Sequence, residues 1–130
     1  MIGIWHVFDM EGTMPEVLHI TTLKEWLAAK KFGSYVAGSL TSEGFIHCST
    51  PDQVLRVADT YFVGQRGLVL LIIDTSHLKS EIRWEPGTNG HEEIFPHVYG
   101  PINLEAVVSV ITFAPGMDGR FKLPPGYYHE

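Results

Sequence analysis

The sequence is short of the features that mark secreted, membrane-spanning or nucleic-acid-binding proteins. One cysteine, Cys48, in 130 residues excludes an intramolecular disulfide and fits a reducing compartment. Cations are few: nine Lys and Arg stand against 15 Asp and Glu, for a net charge of −6 with His neutral. With no Lys/Arg cluster the chain is poorly equipped to follow a nucleic-acid backbone, so extended nucleic acid is not an expected partner. Long hydrophobic runs are missing too. The longest, Leu68 to Ile73, spans six residues against the ~20 that cross a bilayer, and no membrane partner is expected. The N-terminal Met1-Ile2-Gly3-Ile4-Trp5-His6-Val7-Phe8 carries no basic leader and its apolar stretch ends at Asp9, so a cytoplasmic location is expected.

What is present is globular composition, 45% hydrophobic and 18% charged. A chain of this length argues for one domain that buries roughly two-thirds of its unfolded surface without staples. Val17-Leu18-His19-Ile20 reads as a short strand. Thr22 and Glu25 then form a capping box that opens a helix, with Leu23, Trp26, Leu27 and Lys30 at helical spacing and Gly33 as the stop. Gly44 to Ser49 reads as a second strand, with Phe45, His47 and Ser49 on one face and Ile46 and Cys48 on the other. A helix follows at once: Thr50 caps it, Pro51 takes the first position, and Gln53 sits where the reciprocal capping partner belongs. Its buried stripe is expected to be Val54, Val57, Ala58, Tyr61 and Phe62. Leu68 to Ile73 suits a central strand covered on both faces. Ile82-Arg83-Trp84-Glu85 alternates, Pro86 to Gly90 forces a turn, Phe95 to Tyr99 is extended, and Ala106 to Phe113 is a last strand. Helices early and strands late predict an α+β fold. Residues 1–16 read as an N-terminal extension, 17–113 as the domain and 114–130 as a surface tail.

Several polar residues are placed where chemistry can occur. His47 and Ser49 share a strand face just before the Thr50 helix start, whose amides suit a phosphate or carboxylate; a half-buried structural histidine is the plainer reading. His19 occupies a similar place before the Thr22 cap. His97 and Tyr99 project to one face of a Pro- and Gly-bounded segment, which reads equally as an edge strand blunted by prolines. Glu85, closing the Ile82–Glu85 strand, is the carboxylate best placed for acid–base or cation-stabilising work. Glu92 and Glu93 read as exposed loop charges. Cys48 points away from His47, so those two form no nucleophile pair. No Gly-rich phosphate loop, nucleophile elbow or His-Glu-x-x-His motif occurs. His47, His91 and His97 match no standard metal spacing, and no metal is expected.

The segments His19-Ile20-Thr21, Glu43-Gly44-Phe45-Ile46-His47-Cys48-Ser49, Trp84-Glu85 and Phe95-Pro96-His97-Val98-Tyr99-Gly100-Pro101 resemble the domain of unknown function 952 family over about residues 17–113. More remotely, the N-terminal half is similar in layout to the ADP-ribosyltransferase-like superfamily, above all its RNA 2′-phosphotransferase branch. That resemblance implies small bent, split β-sheets around an NAD-binding cleft, with two principal helices in the N-terminal half. His19 would hold a ribose, while His47 and Ser49 would line the nicotinamide-ribose and phosphate region. Amides at Thr50 would anchor phosphate, and Tyr35 or Tyr99 would stack on nicotinamide. His47, Glu85 and His97 would carry the chemistry, with Glu85 stabilising an oxocarbenium-like cation. Two departures stand out: Ile20 replaces a glycine, and no arginine takes the late catalytic position.

The expected function is therefore that of an NAD- or ADP-ribose-binding, ADP-ribosyltransferase-like domain acting on a small molecule or nucleotide, with NAD as substrate. Two alternatives stay open: a non-catalytic ligand-binding or interaction domain of the same fold, and a metal-dependent hydrolase using His47, His91 and His97.

Overall fold

A computed structural model describes residues 16–87 and 92–124. The chain opens with strand β1 (Glu16–Thr22) and helix α1 (Leu23–Phe32), followed by β2 (Ser34–Tyr35) and the short helix α2 (Gly38–Ser42). Next come β3 (Ile46–His47), helix α3 (Pro51–Tyr61) and β4 (Leu68–Asp74). Strands β5 (Glu81–Pro86), β6 (Ile94–Tyr99), β7 (Ile102–Asn103) and β8 (Val107–Phe113) complete the α+β fold. Pairing is antiparallel throughout, in three small sheets ordered β1-β4-β8, β3-β6-β5 and β2-β7. The two larger sheets meet edge to edge at one residue pair, Leu18 with Ser49, bonded amide to carbonyl in both directions at 2.7 and 2.8 Å.

The six-residue run Leu68 to Ile73 lies in the middle of its sheet, as a strand apolar on both faces should. Its alternate side chains feed two cores. Val69, Leu71 and Ile73 pack with Val17, Trp26, Tyr35, Ile46 and Val98 on one side. Leu68, Leu70 and Ile72 pack with Leu18, Ile20, Val54, Ala58 and Phe113 on the other. Helix α3 starts as its sequence predicts, with the Thr50 amide donating to Gln53 Oε1 at 3.0 Å and Pro51 in the first turn.

Five expectations need correction, the first being that Tyr61, expected in the buried stripe of α3, is about half exposed. Helix α1 buries Trp26 and Ala29, whereas Leu23 and Leu27 stay about half exposed: the helix turns its indole inward and approaches the sheet over a small residue. Its capping box is half formed. Thr22 Oγ1 accepts from the Glu25 amide, but the Glu25 carboxylate accepts the Thr21 hydroxyl instead of reaching back. Strand β6 is the centre of its sheet and not an edge; Pro96, which has no N–H, still accepts from the Cys48 amide through its carbonyl. The segment expected as a surface tail buries Phe121 against Phe113, and the Phe121 amide donates to Asp59 on α3. The N-terminal extension lies almost wholly outside the described residues. No helix among the described residues is long and apolar enough to cross a membrane.

Candidate functional site

Strand pairing brings two imidazoles together. In the β3–β6 register His47 stands directly opposite His97, and directly opposed side chains leave an antiparallel pair on the same face. Their ring centroids are 5.5 Å apart, edge to face. Phe45, two residues before His47 and so on the same face, stacks on His97 at 4.0 Å and meets the His47 ring at 4.8 Å.

Each imidazole has a carboxylate. Glu85 on β5 accepts from His97 Nδ1 at 2.8 Å and from the Tyr99 hydroxyl at 2.7 Å. A carboxylate can only accept, so Nδ1 of His97 carries hydrogen and the neutral ring keeps its lone pair on Nε2. These two bonds, the Tyr99 hydroxyl first, hold the Glu85 carboxyl below its usual range, and the same carboxylate raises the Tyr99 hydroxyl. Glu43 faces His47 Nε2 with both oxygens at 3.2 Å, in a more open setting.

His19 is bound differently. Its Nδ1 donates to the His47 carbonyl at 2.5 Å, and its Nε2 contacts the Tyr35 hydroxyl at 2.8 Å. Tyr35 continues to the Thr21 hydroxyl, and Thr21 to Glu25. Burial lowers His19 to about 4 and raises Tyr35 to about 12. The chain of contacts ends in two acceptors, the His47 carbonyl and the Glu25 carboxylate. It has four links and, with His19 neutral, three protons to fill them.

Beside the join between the two sheets lies a cleft of about 490 Å³. Leu18 and Ile20 of β1 wall it, as do Val57, Thr60 and Tyr61, which share one face of α3. His19, His47, Ser49 and His97 supply its polar lining, and Arg56, Glu93 and Phe95 also border it. Ile20 forms part of the wall without closing the space. A cleft of this size and mixed lining suits a small organic ligand.

The structure therefore gathers four of the candidate residues and sets the rest apart. Ser49 lines the cleft. His19 borders it, but both ring nitrogens are engaged, so it is not free to hold a ribose as the resemblance implied. Tyr35 is 2% exposed with its hydroxyl inside the His19 chain and cannot stack on a ligand. Tyr99 lies behind the cleft, its ring under the Arg83 guanidinium at 4.1 Å. Glu85 is likewise behind His97, so it acts on the cleft through that ring rather than on a cation directly. At the Thr50 helix start the Thr50 amide is bonded to Gln53 Oε1, Pro51 has no N–H, and Gln53 Nε2 donates to Glu93 and to the Ile94 carbonyl. His91 falls outside the described residues, and no group of three His, Cys, Asp or Glu among those described can hold a metal ion.

Sequence reasoning missed Glu43, Phe45 and Arg56, and misread Glu93. Far from a bare loop charge, Glu93 takes both terminal nitrogens of Arg56, at 2.7 and 2.9 Å. The available signal was helical spacing, since Arg56 is one turn beyond Gln53 and one turn before Thr60.

Comparison with known proteins bears on the same segments. A crystal structure of protein CC0527 from Caulobacter crescentus superposes with a TM-score of 0.72 at 30% identity, covering 82% of this chain and 93% of that one. A solution NMR structure of CC0527 gives 0.70 at 31% identity, covering 82% and 91%. No curated protein matches the chain. The family described as "Protein of unknown function (DUF952)" matches residues 20–110, which takes in the end of β1, the His47 strand, α3 and the Glu85–His97–Tyr99 cluster. This chain belongs to the DUF952 family.

Proposed function

We propose that the cleft binds a nucleotide-class ligand, NAD or ADP-ribose, and that the domain is ADP-ribosyltransferase-like, with His97 and His47 as its acid–base groups. The observation that carries this reading is the pairing of two carboxylate-backed imidazoles across β3–β6, both opening on one cleft beside Ser49. The set of small sheets joined at Leu18–Ser49 also supports it. On NAD, the bond from ribose C1′ to nicotinamide breaks, and its electron pair leaves with the nicotinamide. An acceptor hydroxyl forms the new C1′–O bond and passes its proton to His97 Nε2. The resulting imidazolium is stabilised through Nδ1–H by Glu85, which is a positioning residue here.

A second reading, a ligand-binding domain without chemistry, is favoured by the withdrawal of Glu85 from the cleft wall. Titration of the full chain with NAD and ADP-ribose, followed by melting and by the His47 and His97 ring resonances, tests binding. Nicotinamide release tests turnover. Binding with release supports the transferase, binding without release supports the binder, and no response to either compound ends both readings of the ligand.

A further inference from the structure

The proposed ligand class is anionic, and at the start of α3 the Thr50 amide is already bonded and Pro51 has no N–H to offer. We propose that Arg56 is the anion seat of the cleft and that the Glu93 carboxylate holds this seat until a phosphate or diphosphate group exchanges for it. The inference rests on the nucleotide reading of the same cleft and adds the group that selects for phosphate.

Three observations lead there. Among the described residues that line the cleft, Arg56 is the one permanent cation, in a chain of net charge −6. Its guanidinium is already arranged for an oxyanion: NH1 and NH2 each donate to a different Glu93 oxygen, the forked geometry that suits carboxylate and phosphate alike. The wall also has a brace that does not run through the Glu93 side chain. Gln53 Nε2 donates both to Glu93 and, at 2.7 Å, to the Ile94 carbonyl, and the second bond still braces α3 against β6 once the first is gone. From Glu93 to His97 the chain advances four residues, roughly 13 Å if extended throughout. That span accommodates a ligand with its anionic end at Arg56 and a sugar at His97.

Inorganic pyrophosphate is the probe, titrated into the full-length protein at fixed ionic strength and followed by calorimetry. Wild type should bind weakly, because the tethered Glu93 competes. Arg56→Gln should weaken binding by about tenfold or more. Glu93→Gln, which removes the competing charge yet can still accept from Gln53, should tighten it by about tenfold. A structural ion pair predicts the opposite for Glu93→Gln: no gain, and a lower melting temperature. An unchanged affinity in either variant overturns the proposal. Parallel titrations with NAD separate this idea from the one it rests on. Pyrophosphate bound as described, with NAD ignored, leaves the Arg56 seat standing and removes the NAD reading. NAD bound equally by wild type and Arg56→Gln does the reverse.

Discussion

Two regions of this molecule use the same three side-chain types to different ends. Around β1, His19 is joined to a tyrosine and, through Tyr35 and Thr21, to the distant carboxylate of Glu25. Around β6, His97 is joined directly to Glu85, which also takes the Tyr99 hydroxyl. Both rings are sunken, at 8% and 2% exposure. The difference lies in what remains unspent. His19 has given one nitrogen to a backbone carbonyl and the other to Tyr35, and its burial far from a carboxylate makes it a poor base. His97 has given one nitrogen to a carboxylate and keeps the other beside a cleft. Burial alone does not separate a structural histidine from a candidate base; the count of committed ring nitrogens and the position of the nearest carboxylate do.

The sharpest way to break this comparison is to remove each ring in turn. On the proposed function, His97→Ala lowers nicotinamide release by about 10³-fold with NAD affinity largely kept. Glu85→Gln follows it at about 10²-fold and displaces the acid limb of the pH profile. His19→Gln should act mainly on folding, so a large loss of turnover in a fully folded His19 variant would erase the distinction.

Next in size is the response to acid. The folded pKa of His19, about 4, lies below the unfolded 6.5, so the unfolded chain binds the extra proton first. The stability this provides is complete above pH 6.5 and is lost as pH falls towards 4, amounting to about 3 kcal/mol. Urea unfolding across that window should show the slope in wild type and a reduced slope in His19→Gln.

The tyrosines sharpen the contrast at smaller scale. Tyr35→Phe leaves buried His19 Nε2 and the Thr21 hydroxyl without their shared partner and should destabilise by about 1–2 kcal/mol, measured by urea unfolding. Tyr99→Phe should leave the fold nearly untouched, because Glu85 can turn to water. Its effect is on Glu85, whose carboxyl should rise towards the ordinary range in a carbon-detected NMR titration, having lost its largest stabilising bond.

Local chemistry made parts of this arrangement readable in advance. The Thr50-Pro51-Gln53 start of α3 and the apolar run of β4 announce themselves within a few residues. Strand alternation alone places His97 and Tyr99 on one face, and in the structure Glu85 joins exactly those two side chains by hydrogen bonds.

Other features depend on register between distant segments and leave no local mark. Arg56 and Glu93 are 37 residues apart and meet only because α3 packs beside the start of β6. Nothing in Phe95-Pro96-His97 says that its strand is central, since that follows from β3 and β5 closing on it from either side. Tyr35 looked available for stacking because sequence does not reveal that it packs into the core with Trp26, Ile46 and Ile102. The capping misreading at Glu25 has a similar origin: the Thr21 hydroxyl, a better partner, is supplied by the strand before the helix.

The seam at Leu18 and Ser49 has a mechanical meaning. Among the described residues one β-bridge ties the backbones of the two larger sheets, yet Ile46 and Val98 of one sheet pack into the same core as Val17, Val69 and Leu71 of the other. The Gln53 bond to the Ile94 carbonyl adds a further tie, from α3 to β6. The union of the sheets is thus carried by interlocked side chains far more than by shared backbone rungs.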